Sequence, residues 1–441
     1  MRTAVSGFPE FMPSEQIAFN RALDIIKKHF ELYGFSPMDT PAVERVSTLL
    51  AKGNDNEIYG LYRLADEDSK KDLGLRFDLT VPLARYVAEN SGQLVFPYKR
   101  YQISPVWRGE RPQHGRYRQF YQCDVDVIGE GGLSVNYDAE IIALIIDVLL
   151  SLEIPSFHTI INNRKILAGF LKTMAPEENI TELIRTVDKI DKISPEEFEA
   201  SLKRSGVFSE DIAKIKLFLD ADKKEDPFEV LRWLKSMSFN NEFRLGVAEL
   251  GEVMSILNKI GVDEKRIRIS TKLARGLTYY TGSVFETVFD DEDLADIGSI
   301  SGGGRYDNLT AVLSHKVFPG VGATIGITRL AVALMERGIM KSDKCSPAEI
   351  LVTVQNPNFT ENYMRIADRL RKAGFKTETY LQNKSLGAQL SYAAKKGINF
   401  VIIADETELL EGNAIIRNMK TGKQKLARIE YIDRDFVKLS E

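Results

Sequence analysis

Cysteine is nearly absent from this chain. Cys123 and Cys345 are the only two in 441 residues, and no CxxC pair occurs. That excludes a disulfide framework and a cysteine-built zinc site. No run of about 18 uncharged apolar residues is present, so no membrane span is expected. The N-terminal stretch MRTAVSGFPEFMPSEQ lacks the apolar centre of a signal peptide, which makes the cytoplasm the default compartment. Histidine is scarce as well: His29, His114, His158 and His315 are all there are. They suggest no Ser-His-Asp arrangement, so no nucleophile on the protein is expected. An excess of one charge is also missing. A net charge of −4 argues against indiscriminate binding of nucleic acid. Any contact with RNA must come from placed basic patches, such as Lys99 to Arg118.

What is present is ordinary in bulk and unusual in one place. Hydrophobic residues make up 44% and charged residues 28%, enough for two or three domains with sizeable cores. The unusual stretch is Val106 to Gly129, VWRGERPQHGRYRQFYQCDVDVIG. Arg108, Arg111, Arg116 and Arg118 with Glu110 surround a Pro112-Gln113-His114-Gly115 turn. Strand-like runs flank it, so the segment reads as a hairpin from Ile103 to Arg108 and back from Arg118 to Ile128. Period-two alternation places Phe120, Gln122, Asp124 and Asp126 on one face. An aromatic, amide and carboxylate face suits a small polar ligand better than a core, and guanidinium forks beside it suit phosphates.

Along the chain, Ser14 to Tyr33 reads as an amphipathic helix closed by Gly34, followed by an extended segment interrupted by Pro37 and Pro41. Gly74 to Tyr86 reads as a short strand and then a helix that Thr80 caps, with Arg76, Asp78 and Thr80 alternating onto one face. From Asp147 to Glu264 helix follows helix, with caps at Ser194 and Asp226. Arg275 sits in an apolar-flanked turn, where a guanidinium is costly unless an anion awaits it. Tyr279-Tyr280 then leads into an alternating strand. The glycine run of SGGGRYDNL, Ser301 to Leu309, follows a strand and opens a helix, and three glycines there suggest a phosphate nest or, more commonly, a close backbone crossing. It is not a Walker loop, because no Gly-Lys-Ser/Thr follows. FPGVGATIGITRL, Phe318 to Leu330, gives a small-residue strand running into a helix with Arg329 at its start. After a polar linker, Lys341 to Pro347, strands and helices alternate to the C-terminus.

RGERPQHGRYRQFYQCDVDVIG resembles motif 2 of class II aminoacyl-tRNA synthetases, in the wording of the histidyl-tRNA synthetase family. LARGLTYYTG and GGGRYDNL resemble the two histidyl-specific signatures. FPGVGATIGITRL resembles motif 3, and Ser14 to Glu44, with Pro41, resembles the dimer-forming motif 1. The C-terminal region is similar to the anticodon-binding domain of histidyl, prolyl, threonyl and glycyl enzymes. The resemblance therefore implies an α+β catalytic domain with an antiparallel six- or seven-stranded sheet, in residues 1–162 and 260–340. A helical insertion would occupy 163–259, and an α/β anticodon-binding domain 348–441.

The resemblance also assigns roles. ATP would meet Arg108, Glu110, Arg116, Phe120 and Arg329, with Arg108 and Arg275 at the reacting α-phosphate and Mg²⁺ neutralising the remaining charge. L-histidine would meet Asp78, Thr80, Gln122, Asp126, Arg275, Tyr279 and Tyr280. Arg111 and Gln113 would touch the acceptor end of tRNA(His), and no protein-held metal is implied. Thr278 and Thr328 depart from the family, which usually has aspartate and glutamate there. The expected activity is histidine–tRNA ligation by a homodimer. The alternatives are a histidine-binding regulatory paralogue of ATP phosphoribosyltransferase and a tRNA-sensing pseudo-synthetase.

Overall fold

The computed structural model describes residues 4–50, 61–64, 72–113, 115–223, 226–275, 279–308 and 316–440. His114, Thr278, Leu309 and His315 lie outside the described residues. Two compact units are distinguished: Met1–Pro9 with Ala22–Glu336, and Glu10–Arg21 with Arg337–Glu441.

The first long helix runs Pro13–Leu32. Glu15 accepts the Met12 N–H at 2.8 Å at its start, and Gly34, at φ +79°, lets the chain turn out of its end. Phe19, Ala22, Ile26 and Phe30 are buried at the helical spacing the sequence carries.

In the first unit eight strands form one sheet. They are β1 (Ser36–Pro37), β5 (Tyr98–Trp107), β6 (Gln119–Ile128), β11 (Gly320–Ile325), β10 (Ser301–Tyr306), β9 (Ser283–Phe289), β7 (Phe157–Asn163) and β8 (Ile267–Ile269), in that spatial order. The six inner strands pair antiparallel, and only the edges β1 and β8 pair parallel to their neighbours. The expected sheet is thus present, widened by two short edge strands. Strand β7 also interrupts the stretch from Asp147 to Glu264, which is not helical throughout. A second sheet, β2 (Val43–Arg45), β4 (Leu73–Leu75) and β3 (Arg63–Leu64), stands apart from it.

Two readings of local structure are corrected. The glycines of SGGGRY form the strand β10 itself and do not follow one, and all six residues are buried. A Cβ on Gly303 would lie 2.1 Å from the Gly322 carbonyl and 2.7 Å from the Phe285 ring. Glycine here answers a close approach of strands, the commoner of the two expectations, and not a phosphate nest. At the helix Thr80–Asn90, Thr80 is not the cap: the Asp78 carboxylate accepts the Val81 N–H at 3.0 Å. Arg76 does not share a face with Asp78, because β4 has ended at Leu75. Its guanidinium instead reaches the Pro105 carbonyl at 3.1 Å and Asp39 at 3.2 Å.

Behind the sheet, the helix Asn136–Ser151 buries an unbroken apolar run from Ile141 to Ile146. It is tied to β10 by a buried ion pair, Arg305 to Asp138 at 2.7 Å. Ser194 and Asp226 cap their helices as their sequence predicts. The helices Arg164–Leu171 and Asn241–Lys259 cross closely at two glycines. A Cβ on Gly169 would meet the Phe243 nitrogen at 2.6 Å, and one on Gly246 the Ile166 nitrogen at 2.9 Å.

The second unit carries the five-stranded sheet β13 (Thr377–Thr379), β12 (Ile350–Val352), β14 (Phe400–Ile403), β15 (Asn413–Asn418) and β16 (Gln424–Arg428). The first three are parallel and the last two antiparallel. The helices Thr360–Lys372 and Leu386–Lys396 end where Gly374 and Gly397 take positive φ. Two apolar clusters, one around Tyr363 and Ile402 and one around Leu351 and Val401, form its core.

The helix crossing yields a paired prediction. Gly246→Ala should destabilise the protein by about 1–3 kcal/mol, through overpacking against Ile166 backbone. Gly251→Ala, in the same helix, should instead stabilise it by up to about 1 kcal/mol, since its Cβ would meet nothing nearer than the flexible Lys235 side chain at 3.4 Å. Urea unfolding of both variants measures the contrast, and equal shifts would contradict the close crossing.

Candidate active site

The face of β6 that alternates inward is the floor of a cavity of about 540 Å³. Phe120, Gln122, Asp124 and Asp126 all line it. From β11 and β10 the floor continues with Gly322, Thr324, Gly302 and Gly303, whose small side chains leave the space open.

Arginines crowd one end. Arg108, at the end of β5, donates through Nε to the Phe77 carbonyl at 3.2 Å, and its guanidinium stands 5.0 Å from the Phe120 ring centre. Arg329 donates to the Gly115 carbonyl at 2.6 Å and the Ser299 carbonyl at 3.2 Å, from the start of the helix Ile327–Glu336. Arg275 holds a left-handed backbone at φ +50° and donates to the Phe285 carbonyl at 3.0 Å. A Cβ on Gly302 would lie 1.6 Å from the Arg275 Nη1, so glycine at 302 is what admits that guanidinium. Arg116 completes the set. Burial pulls the Arg329 pKa down, and the charges of Arg116 and Arg108 pull it further. Like charges forced together out of water mark a place for an anion.

The other end is acidic and aromatic. Asp78 and Thr80 sit on its wall. Asp126 is paired with the fully buried Arg100 at 2.6 Å and accepts the Tyr306 hydroxyl at 2.5 Å. Gln122 donates to the Thr324 hydroxyl at 3.2 Å. Tyr279 and Tyr280 pack together at 4.5 Å between ring centres. Burial raises the pKa of both, as it does that of Tyr306. At neutral pH all three are neutral phenols able to donate. Asp124 is pushed up to about 7, by burial first, and by Asp126 and Asp78, against the opposing effects of Arg100 and a Thr324 hydrogen bond.

Of the residues expected from the sequence, Asp78, Thr80, Arg108, Glu110, Arg116, Phe120, Gln122, Asp126, Arg275, Tyr279, Tyr280 and Arg329 all line this one cavity. Arg111 and Gln113 do not. They lie on the exposed turn, where Gln113 bridges to Arg116. Among the lining residues that sequence reasoning missed are Asp124, Tyr306 and Lys192. Asp124 was visible in the alternation of β6 but was not separated from Asp126. Tyr306 gives no signal of its own beside a glycine run that accounts for the segment as a close backbone crossing. Lys192, on the wall, comes from a helical stretch in which no catalytic constellation was expected. Thr328, where the family usually has glutamate, is buried and accepts the Tyr121 N–H at 2.8 Å, so it secures β6 from behind.

An antiparallel sheet floored with carboxylates and walled with arginines, in a chain that also carries a separate five-stranded α/β unit, defines a class II aminoacyl-tRNA synthetase. Residues 7–330 match the sequence model of the histidyl-tRNA synthetase family, and residues 349–435 match the anticodon binding domain. The histidine–tRNA ligase of Nostoc punctiforme is 39% identical over 445 residues, covering 95% of this chain and 94% of that protein. That of Clostridium tetani is 40% identical over 425 residues, covering 96% and 95%. The crystal structure of histidyl-tRNA synthetase from Nostoc sp. PCC 7120 superposes with a TM-score of 0.86 at 36% identity, covering 98% of this chain and 99% of that one. The chain belongs to the histidyl-tRNA synthetase family.

The buried pair beneath the floor gives a direct test. Arg100→Met should cost about 3–5 kcal/mol, because it leaves the Asp126 carboxylate buried without its cation. An unchanged urea midpoint would contradict this pairing.

Proposed function

We infer that the protein is a cytoplasmic histidine–tRNA ligase. It joins ATP and L-histidine into histidyl-adenylate and pyrophosphate, and then passes the histidyl group to the terminal ribose of tRNA(His). The observation that carries this reading is the polarity of the cavity: four guanidiniums at one end, carboxylates and phenols at the other. The first end fits a triphosphate and the second fits a zwitterion with a nitrogen-bearing ring.

Arg108 and Arg275 take the α-phosphate, and Arg116 and Arg329 the outer phosphates. Phe120 and Arg329 enclose the adenine, a role in which arginine's planar cation is not replaceable by lysine. Asp78 and Thr80 hold the α-ammonium group. Tyr279, Tyr280, Gln122 and Asp126 surround the imidazole. Held in this way, the histidine carboxylate attacks the α-phosphorus directly. Catalysis is positioning plus stabilisation of the charge that builds on the phosphate, with no covalent enzyme intermediate.

Mg²⁺ would accompany the nucleotide as part of the substrate and neutralise phosphate charge, while Glu110 belongs to the ATP-binding set. Among the described residues, no group of three or more His, Cys, Asp or Glu side chains is placed to hold an ion by itself. Arg111 and Gln113, exposed on the turn, reach the acceptor end of the tRNA, and the C-terminal unit reads its anticodon. A homodimer forms through the region of the first helix and Pro41.

Arg275→Ala should reduce histidine-dependent ATP–pyrophosphate exchange by roughly 10²–10³-fold, or about 3–4 kcal/mol, as loss of one preorganised donor does elsewhere. Exchange at the original rate would remove Arg275 from the reaction. Charging of tRNA with histidine by the purified protein separates a ligase from a regulatory histidine-binding paralogue and from an uncharged-tRNA sensor, neither of which aminoacylates.

A further inference from the structure

One cation in the cavity wall does not come from the sheet. Lys192 lines the same space as Arg275, Ser299 and Gly302, yet it belongs to the helical stretch between β7 and β8. The helix Ile180–Val187 buries Ile180, Leu183, Ile184 and Val187 and stops at Asp188. A 3₁₀ turn, Ile190–Lys192, then leads toward the next helix, where the Ser194 hydroxyl accepts the Glu197 N–H at 3.1 Å. The turn is held by a helix on each side, and Lys192 is its last residue.

Asp188 ties this turn to the guanidinium end of the cavity. A helix C-terminus is electronegative, so a carboxylate there is disfavoured, and Asp188 is half-buried as well. Burial pushes its pKa up, as does the charge of Glu286, while Lys192, Arg275 and Arg164 pull it down. Three cations from three segments thus act on one carboxylate. Arg164 opens the helix Arg164–Leu171, and its N–H donates to the Gly282 carbonyl at 2.9 Å. Arg275 donates to the Phe285 carbonyl at 3.0 Å and fills the place of a side chain at Gly302. Lys192 differs from both. It is exposed, and among the described residues its ammonium group makes no direct hydrogen bond or ion pair, although the charge of Asp188 is near. Three donors on a flexible stem, in a cavity wall beside Arg275, are available to an anion.

We propose that Lys192 is a catalytic residue of the adenylation step, supplied to the cavity by the helical insertion, its ammonium group binding the α-phosphate that Arg275 also holds. This rests on the ligase reading above. In that step a histidine carboxylate oxygen forms a bond to the α-phosphorus. The bond from that phosphorus to the bridging oxygen of pyrophosphate breaks, and pyrophosphate leaves with the electron pair. Lys192 exchanges no proton. Its charge offsets the charge that builds on the non-bridging oxygens as the two bonds change. Phosphates at the acceptor end of the tRNA are the competing source of an anion at this rim. The nucleotide is favoured because Lys192 shares Asp188 with Arg275, whose head lies within the cavity wall.

The experiment is histidine-dependent ATP–pyrophosphate exchange without tRNA, for the wild type, Lys192→Gln, Lys192→Arg and Lys189→Ala, with urea unfolding of each. Lys189 is exposed just before the same turn and does not line the cavity. Lys192→Gln should lower kcat and kcat/KM together, the pattern of a contact made in the transition state. Solvent screens a charge at the rim, so the loss should be about tenfold, below that of a buried donor. Lys192→Arg should restore most of it, and Lys189→Ala should match the wild type. Because both lysines are exposed, all urea midpoints should coincide. Exchange at the wild-type rate in Lys192→Gln overturns the proposal, whether or not charging of tRNA falls. An equal loss in Lys189→Ala, or a loss that Lys192→Arg shares in full, overturns it too. A wild type with no histidine-dependent exchange overturns the ligase reading instead.

Discussion

Mutual repulsion of guanidinium groups is the constraint around which the first unit is arranged. Arg108 and Arg116 come from the β5–β6 hairpin, Arg275 and Arg329 from two further segments, yet their side chains enter one cavity. At an effective dielectric of about 20, two unit charges 4 Å apart interact by roughly 4 kcal/mol, so such crowding does not arise by default. It is sustained by a rigid sheet whose backbone carbonyls, at Phe77, Phe285, Gly115 and Ser299, fix three of the four heads. The sheet also yields space where required. Gly302 is bare because Arg275 occupies the position of its side chain, and Gly322 because Asp126 does, 1.9 Å from where a Cβ would stand.

The opposite end solves a different problem. Carboxylates there must be held ready for a cation without collapsing into ion pairs with the neighbouring arginines. Arg100 does this from below the floor, fully buried and outside the cavity lining, by pairing with Asp126. Tyr306 adds a neutral donor that burial keeps protonated. The two ends therefore remain distinct in sign within a single cavity, which under the proposed function would orient a zwitterionic amino acid and a polyanionic nucleotide before they react. This preorganisation, and not a protein nucleophile, is the chemistry the arrangement supplies.

Much of this was legible in the sequence wherever a local pattern carried it. The alternation Phe120-Gln122-Asp124-Asp126 survives as the cavity floor because side-chain direction in a strand has a period of two. The helix–strand alternation after Ile350 survives because Gly374 and Gly397 end their helices. What failed was non-local or too short to have a period. Strands β1 and β8 have two and three residues, so the sheet came out narrower than it is. The glycines of β10 left a phosphate nest and a close backbone crossing both open, because close approach between strands and backbone freedom select the same residue. Thr80 and Asp78 are both competent caps, and only the geometry of the helix start chose Asp78. Arg100 and Tyr306 were invisible for the same reason: burial beneath a floor is set by pairing across strands, which no single segment records.

The account stands or falls on where a nucleotide sits. The most direct measurement is a crystal structure of the protein soaked with ATP and L-histidinol, which lacks the reacting carboxylate and so halts the reaction. The account predicts the triphosphate within hydrogen-bond distance of Arg108, Arg116, Arg275 and Arg329, with the imidazole ring over the β6 floor beside Asp124 and Asp126. A nucleotide bound elsewhere, with these four side chains in contact with neither ligand, would contradict it.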